Sequence, residues 1–423
     1  MCGDLQESAQ NVVVPAIDAA SSVACMRSLG KRGIRTIAIS EQPSPPGFES
    51  KFCTESHGVP DPASELGAYE EALCGLARRD DVCTVIPVRE ADVYVLARNT
   101  DALTDHVATV WPSIPTLGSV QDRVRLFDAA RAANVSIPET TALDDWSDWT
   151  DDLVVKPRYT VHAPEYGSDF SDFRPQEQSA RYVPAGIEPD RDALVDDFGH
   201  APLVQEYVPT SDEYAFFALY RDGEAVATFQ HRQRRAWKYA GGPSAYRESV
   251  DIPELDAAGR RLLDELEWHG LAMVEFLRDP TTGEFKLMEV NPRFWTSLPF
   301  TVQAGVDFPY LYWQQATGYS IPREPTFEVG IGGHLLRGEL LHLHSVFSET
   351  YPAVERPSRV KTVIDVAASL VRHPRFDYLD PDDPGPFLRD SRNLIGELRS
   401  REAESGGGRD HRPEQYERRT VEP

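Results

Sequence analysis

Two apolar stretches flank a turn near residue 280, and both carry polar groups where a half-buried strand tolerates few. The first is Leu271-Ala272-Met273-Val274-Glu275-Phe276-Leu277 and the second Phe285-Lys286-Leu287-Met288-Glu289-Val290-Asn291, with Asp279-Pro280-Thr281-Thr282-Gly283 between them. Apolar runs of this length around an Asp, Pro and Gly turn predict an antiparallel hairpin. Side chains alternate faces along a strand, so Glu289, Asn291 and, beyond Pro292, Arg293 are predicted to look the same way. Pairing Arg278 with Glu284 sets Met273 opposite Glu289 and gathers Glu275, Glu289 and Asn291 on one face. Charged groups do not sit in half-buried strands without a partner. Two carboxylates and an amide oxygen together suit a hard cation, Mg²⁺ or Mn²⁺, that bridges phosphate oxygens. The plainer reading keeps both glutamates on a solvated face and lets Asn-Pro end the strand.

With 423 residues, 41% of them hydrophobic, the chain is long enough for two or three domains with a substantial core. Its formal net charge is −25, and only six of its 43 basic residues are lysine. A carboxylate-rich, lysine-poor surface suits concentrated salt, which screens self-repulsion, so a haloarchaeal or similarly salt-adapted source is expected. Such a field repels nucleic acid. The cysteines, Cys2, Cys25, Cys53, Cys74 and Cys83, are odd in number and lack CxxC spacing, which indicates neither a disulfide framework nor a zinc site. No apolar run spans a membrane and the N-terminus lacks a signal pattern, so the expectation is a cytoplasmic protein without a membrane partner.

Along the chain, Asn11 to Pro15, Ala19 to Leu29 and Gly30 to Ile39 read as strand, helix and parallel strand, opening an α/β domain over residues 1–112. The turn Pro15-Ala16-Ile17-Asp18-Ala19-Ala20 lacks GxGxxG, which disfavours a Rossmann dehydrogenase. Gln121 to Ala133 is predicted helical. Leu153-Val154-Val155-Lys156-Pro157 and Leu203-Val204-Gln205-Glu206-Tyr207-Val208-Pro209 are predicted strands, and Tyr214 to Phe229 a hairpin about Arg221-Asp222-Gly223-Glu224. Beyond Arg323 helices are expected at His334 to Leu341, Lys361 to Arg372 and Arg392 to Arg399, with a disordered tail over 401–423. His334, His342 and His344 have no Cys or spaced carboxylate beside them and read as ordinary histidines.

The order of an α/β domain, Val154-Val155-Lys156-Pro157, Val204-Gln205-Glu206-Tyr207-Val208, Glu275 and Glu289-Val290-Asn291-Pro292-Arg293 resembles the ATP-grasp superfamily, and within it the carboxylate–amine ligases. The resemblance runs over about residues 11–325. It implies an α/β N-terminal domain followed by α+β ATP-grasp subdomains, the small one at 113–200 and the large one with the metal site at 201–325, then a helical extension at 326–400. It also implies ATP between the subdomains, with Lys156 on phosphates, Gln205, Glu206, Tyr207, Val208 and Met288 at the adenine, and Asp212 or Glu213 at the ribose. Glu275, Glu289 and Asn291 would carry Mg²⁺ or Mn²⁺, and Arg293 would steady the transferred phosphoryl group. Arg232 and Arg234, at i and i+2 on one strand ahead of Gly241-Gly242, are further catalytic candidates.

One departure stands out. Arg158 to Pro184, where such enzymes carry a glycine-rich loop, often with a second lysine, has Gly167 and no lysine. The function implied is an ATP-dependent C–N ligase joining a small-molecule carboxylate and amine, and a homodimer is compatible with it. The alternative is a non-catalytic or regulatory nucleotide-binding module. A biotin-dependent carboxylase fits less well, since no Met-Lys-Met carrier segment is present.

Overall fold

The computed structural model describes residues 11–405 except 168, 169, 177, 211, 322, 352 and 353, so residues 406–423 of the expected tail lie outside it. β1 (Asn11–Pro15), β2 (Thr36–Ser40), β3 (Cys53–Gly58) and β4 (Val82–Val85) form a parallel sheet ordered β3-β2-β1-β4. Val12, Val13 and Val14 of β1 are fully buried, as expected of a parallel strand covered on both faces. α1 (Ala20–Gly30), α2 (Leu66–Ala77), α3 (Glu90–Arg98) and the short α4 (Thr100–Leu103) complete this layer.

The helix expected over Gln121 to Ala133 is α6 (Arg123–Ala132), and a further helix, α5 (Ile114–Gln121), precedes it. Asp122 divides them, leaving helical geometry to cap α6 by accepting from the Val124 N–H. β5 (Thr140–Ala142), β6 (Leu153–Lys156), β9 (Arg181–Val183) and β10 (Leu203–Glu206) make a second sheet, ordered β5-β10-β6-β9. β7 (Val161–His162) and β8 (Arg174–Pro175) pair separately, and α7 (Arg191–Phe198) precedes β10.

The third sheet has six strands, β11 (Glu213–Arg221), β12 (Glu224–Lys238), β13 (Gly241–Ser249), β14 (Gly270–Arg278), β15 (Phe285–Asn291) and β16 (Gly332–His334), ordered β15-β14-β11-β12-β13-β16. Tyr214 to Tyr220 of the central β11 are buried on both faces, with α8 (Pro253–Glu265) packed on one side and α9 (Leu298–Gln303) and α10 (Phe308–Ala316) beyond the other. Gly241 and Gly242 turn β12 into β13 at φ of 124° and 106°, a region closed to most side chains.

The β14–β15 register differs from the expected one. Met273 pairs with Asn291, Glu275 with Glu289 and Arg278 with Phe285, and the ladder shifts between Glu275 and Phe276. Phe276 pairs with Leu287, which leaves Met288 as the extra residue of a bulge. The bulge brings Met288 and Glu289 to the same side, while Leu287 and Val290 enter the core.

After β16 come α11 (Leu336–Ser348), α12 (Arg359–Arg372) and α13 (Gly385–Ser405). His334, expected at the start of a helix, ends β16 instead, paired with Tyr246. The segment is tied down by buried ion pairs. Arg27 of α1 donates to Asp383 at 2.9 Å and to the carbonyls of Tyr378 and Asp383, Arg247 pairs with Asp377, and Arg235 with Glu339 at 2.7 Å. Among the described residues no helix is long and apolar enough to cross a membrane.

Candidate functional site

A cavity of about 270 Å³ lies where β6, an inner strand of the second sheet, comes near β15, an edge strand of the third, and it collects Lys156, Arg123, Glu275, Glu289, Asn291 and Arg293. Lys156 ends β6 and is only 9% exposed, so its ammonium is delivered to the cavity by a buried strand. Arg123 starts α6, where its Nη1 donates to the Pro157 carbonyl at 2.9 Å and its Nη2 to Glu289 Oε2 at 3.1 Å. Burial acts to raise the Glu289 pKa, but Arg123, Lys156 and Asn291 outweigh it and hold the carboxyl below its ordinary value. Glu289 is therefore an anion at neutral pH, available to a cation.

Glu275 lies directly opposite Glu289, and Asn291 approaches Glu289 Oε1 through its Nδ2 at 3.4 Å. Among the described residues no group of three or more His, Cys, Asp or Glu side chains is arranged to hold a metal ion by itself. The donor set is thus two carboxylates and one amide oxygen, which fits Mg²⁺, an ion that keeps waters and completes its shell with substrate phosphates.

Arg293 enters the same cavity and is gripped from the first domain. Its Nε donates at 3.0 Å to Glu90, 203 residues away, and the other oxygen of Glu90 accepts from Gln121 Nε2 at 2.6 Å. Burial is the main reason the Glu90 pKa is raised, with Arg293 and Gln121 opposing it. His231 of β12 also lines this cavity, 4% exposed, its Nδ1 without a partner. Burial and the Arg247 charge depress its pKa to about 3, so the imidazole is neutral.

A wider cavity, about 1120 Å³, adjoins the first and shares Lys156, Glu213, Gln233 and Met288 with it. Its near end holds Gln205, Glu206, Tyr207, Val208 and Met288, the residues assigned to adenine. Glu206 is ion-paired with Lys286, which also reaches Asp279 at 2.8 Å, and Gln205 donates to Thr140 Oγ1 at 2.8 Å. Glu213 accepts from Gln233 at 2.6 Å where the two cavities meet. Arg232 and Arg234 line only the wider cavity and are not brought together with Arg293. Arg232 is held by Asp212.

Of the loop after Lys156, Thr160, Gln176, Gln178 and Ser179 reach the smaller cavity. Two of its cations are engaged elsewhere, Arg158 with Asp122 at 2.7 Å and Arg181 with Asp197 at 2.7 Å. Arg123, Glu90 and His231 escaped the sequence reading. The cap residue Asp122 was a usable signal for Arg123, whereas Glu90 owes its place to a contact no local pattern encodes.

Residues 200–332 match the family described as "ATP-grasp in the biosynthetic pathway with Ter operon". No curated protein matches the chain by sequence. Among solved structures, the biotin carboxylase of Campylobacter jejuni in a β-γ-ATP complex is 13% identical, with a TM-score of 0.58 over 76% of this chain and 74% of that one. N5-carboxyaminoimidazole synthetase of Staphylococcus aureus is also 13% identical, with a TM-score of 0.58 over 87% of this chain and 99% of that one. The biotin carboxylase domain of Hydrogenobacter thermophilus 2-oxoglutarate carboxylase, bound to MgADP and bicarbonate, is 15% identical, with a TM-score of 0.56 over 75% and 72%. The chain shares the fold of these structures, an α/β domain followed by α+β subdomains, and its match to an ATP-grasp family covers residues 200–332.

Proposed function

We propose that the chain is an ATP- and Mg²⁺-dependent ligase that activates a small-molecule carboxylate as an acyl phosphate for capture by an amine. The observation that carries this reading is the meeting of Lys156 of the second sheet with Glu289 and Arg293 at the end of β15, bridged by Arg123 of α6, which reaches both Pro157 and Glu289. Mg²⁺ held by Glu275, Glu289 and Asn291 would offset charge on the β- and γ-phosphates. Lys156 and Arg123 would orient the phosphates, and Arg293, braced by Glu90, would stabilise the γ-phosphoryl group as it moves. Met288, placed by the bulge, and Glu206 to Val208 would hold the adenine. In the reaction a carboxylate oxygen bonds to the γ-phosphorus while the bond to the β,γ-bridging oxygen breaks, releasing ADP. The amine nitrogen then attacks the acyl carbon, inorganic phosphate leaves, and one proton is released as the amide forms.

A panel of acids carrying ¹⁸O in the carboxylate, incubated with ATP, Mg²⁺ and candidate amines, tests this directly. The expected result is ADP formed only with the right acid and one ¹⁸O delivered to the phosphate. Phosphate free of ¹⁸O would exclude the acyl phosphate. The uncharged cavity-facing loop, Thr160, Gln176, Gln178 and Ser179 among the described residues, favours a second reading, a module that binds ATP without turnover. Nucleotide binding with no ADP from any acid–amine pair would support that alternative. The acidic surface supports placing the protein in a salt-adapted cytoplasm.

A further inference from the structure

The wider cavity runs well past the residues assigned to adenine. One wall is β12 and β13, and the opposite wall is α12 with His342 of α11, both beyond the family-matched stretch that ends at 332. Arg232, Arg234, Arg235 and Lys238 crowd this part of β12 in a chain whose net charge is −25. Two of these cations are committed, Arg232 to Asp212 and Arg235 to both oxygens of Glu339 at 2.7 and 2.8 Å. The others are loosely held. Arg234 approaches Glu248 at 3.6 Å and Lys238 approaches Glu349 at 3.9 Å, their side chains 39% and 41% exposed. Arg372 of α12, exposed at the same cavity, has no ion-pair partner among the described residues. Exposed pairs at such separations contribute little, so these groups are free to exchange partners. Val354, Pro357 and Ala368 add apolar surface beside them.

We propose that this cavity is a second ligand site, for a small organic dianion whose phosphate or carboxylate oxygens bind Arg234, Lys238 and Arg372 while its body packs on Val354, Pro357 and Ala368. Guanidinium forks match both kinds of oxygen pair, and a ligand anion replaces carboxylates that hold these cations only loosely. The inference rests on the nucleotide reading only in that ATP leaves this end of the cavity free. It assigns a task to the C-terminal helices, which supply Arg372 and the apolar wall.

The test is calorimetric titration of the full chain, saturated with Mg²⁺ and a non-hydrolysable ATP analogue, with phenyl phosphate in one arm and phthalate in the other. The expected result is binding of at least one probe, weakened about tenfold or more in Arg234→Ala and in Arg372→Ala. Affinity for the ATP analogue is expected to stay the same in both variants. Both substitutions are at exposed side chains, and thermal melting checks that the fold is kept. No binding of either probe, or binding unchanged in both variants, would overturn the proposal. Repeating the titration without nucleotide separates the two readings, since probe binding that depends on Arg234 and Arg372 stands even where the ATP analogue fails to bind.

Discussion

The two cavities are lined by similar kinds of residue and differ in how those residues are held. In the smaller one Arg123 bridges Pro157 and Glu289, Arg293 is fixed by a buried Glu90, and Lys156 is confined by burial at 9% exposure. In the wider one Arg232 and Arg235 are likewise committed, to Asp212 and Glu339, but Arg234 and Lys238 lean on carboxylates at 3.6 and 3.9 Å. Anchored charges suit chemistry that demands fixed geometry, whereas loose ones adapt to a ligand at some cost in precision. Under the proposed function the contrast supports reaction at the first site and recognition at the second.

Substitutions that strike the anchored site should break this contrast most severely. Under the proposed function Glu289→Gln removes the charge of a metal ligand and leaves Arg123 without its carboxylate partner, so ADP formation is expected to fall roughly 10²- to 10³-fold, measured by coupled assay. Arg234→Ala in the same assay should retain most of its rate at saturating substrate. Lys156→Ala is expected to weaken binding of an ATP analogue roughly 10- to 100-fold by calorimetry, through loss of charge-assisted hydrogen bonds to phosphate. Equal losses in Lys156→Ala and Arg234→Ala would erase the distinction between the sites.

Glu90→Gln sharpens it, since Glu90 acts through Arg293 and touches no reacting atom. ADP formation should drop about tenfold while the KM for ATP holds, because the amide keeps the shape but not the charge that orients the guanidinium. The smallest effect is on stability in acid. His231 and His200, depressed by burial to about 3 and about 4, are neutral in the fold and take up protons on unfolding below about pH 6.5. Their contribution is complete above that pH and is lost as pH falls toward the folded values, so the melting temperature should decline over this window. His231→Gln should make the decline shallower, and an unchanged slope would remove His231 from the explanation.

Much of this was legible before any coordinates. The apolar runs ending in Lys156 and Asn291 specified strands, and the alternation of Glu289 with Asn291 marked the polar face, because period-two patterning is a local property. The register was not legible, since Arg278 pairs with Phe285 rather than Glu284 and the bulge at Met288 adds a second residue of shift, which together put Glu275 rather than Met273 opposite Glu289. Arg232 and Arg234 are neighbours on one strand by their i, i+2 spacing, but which cavity a strand face meets depends on helices over a hundred residues later. The hold of Glu90 on Arg293 lay out of reach for the same reason.

Mn²⁺ in place of Mg²⁺ gives the sharpest view of the anchored site. Electron paramagnetic resonance of Mn²⁺ added with an ATP analogue to the wild type, to Glu289→Gln and to Arg234→Ala should show the ion immobilised in the first and third and free in the second. Immobilisation undiminished in Glu289→Gln would contradict the placement of the metal and phosphate end of the cavity at Glu275, Glu289 and Asn291.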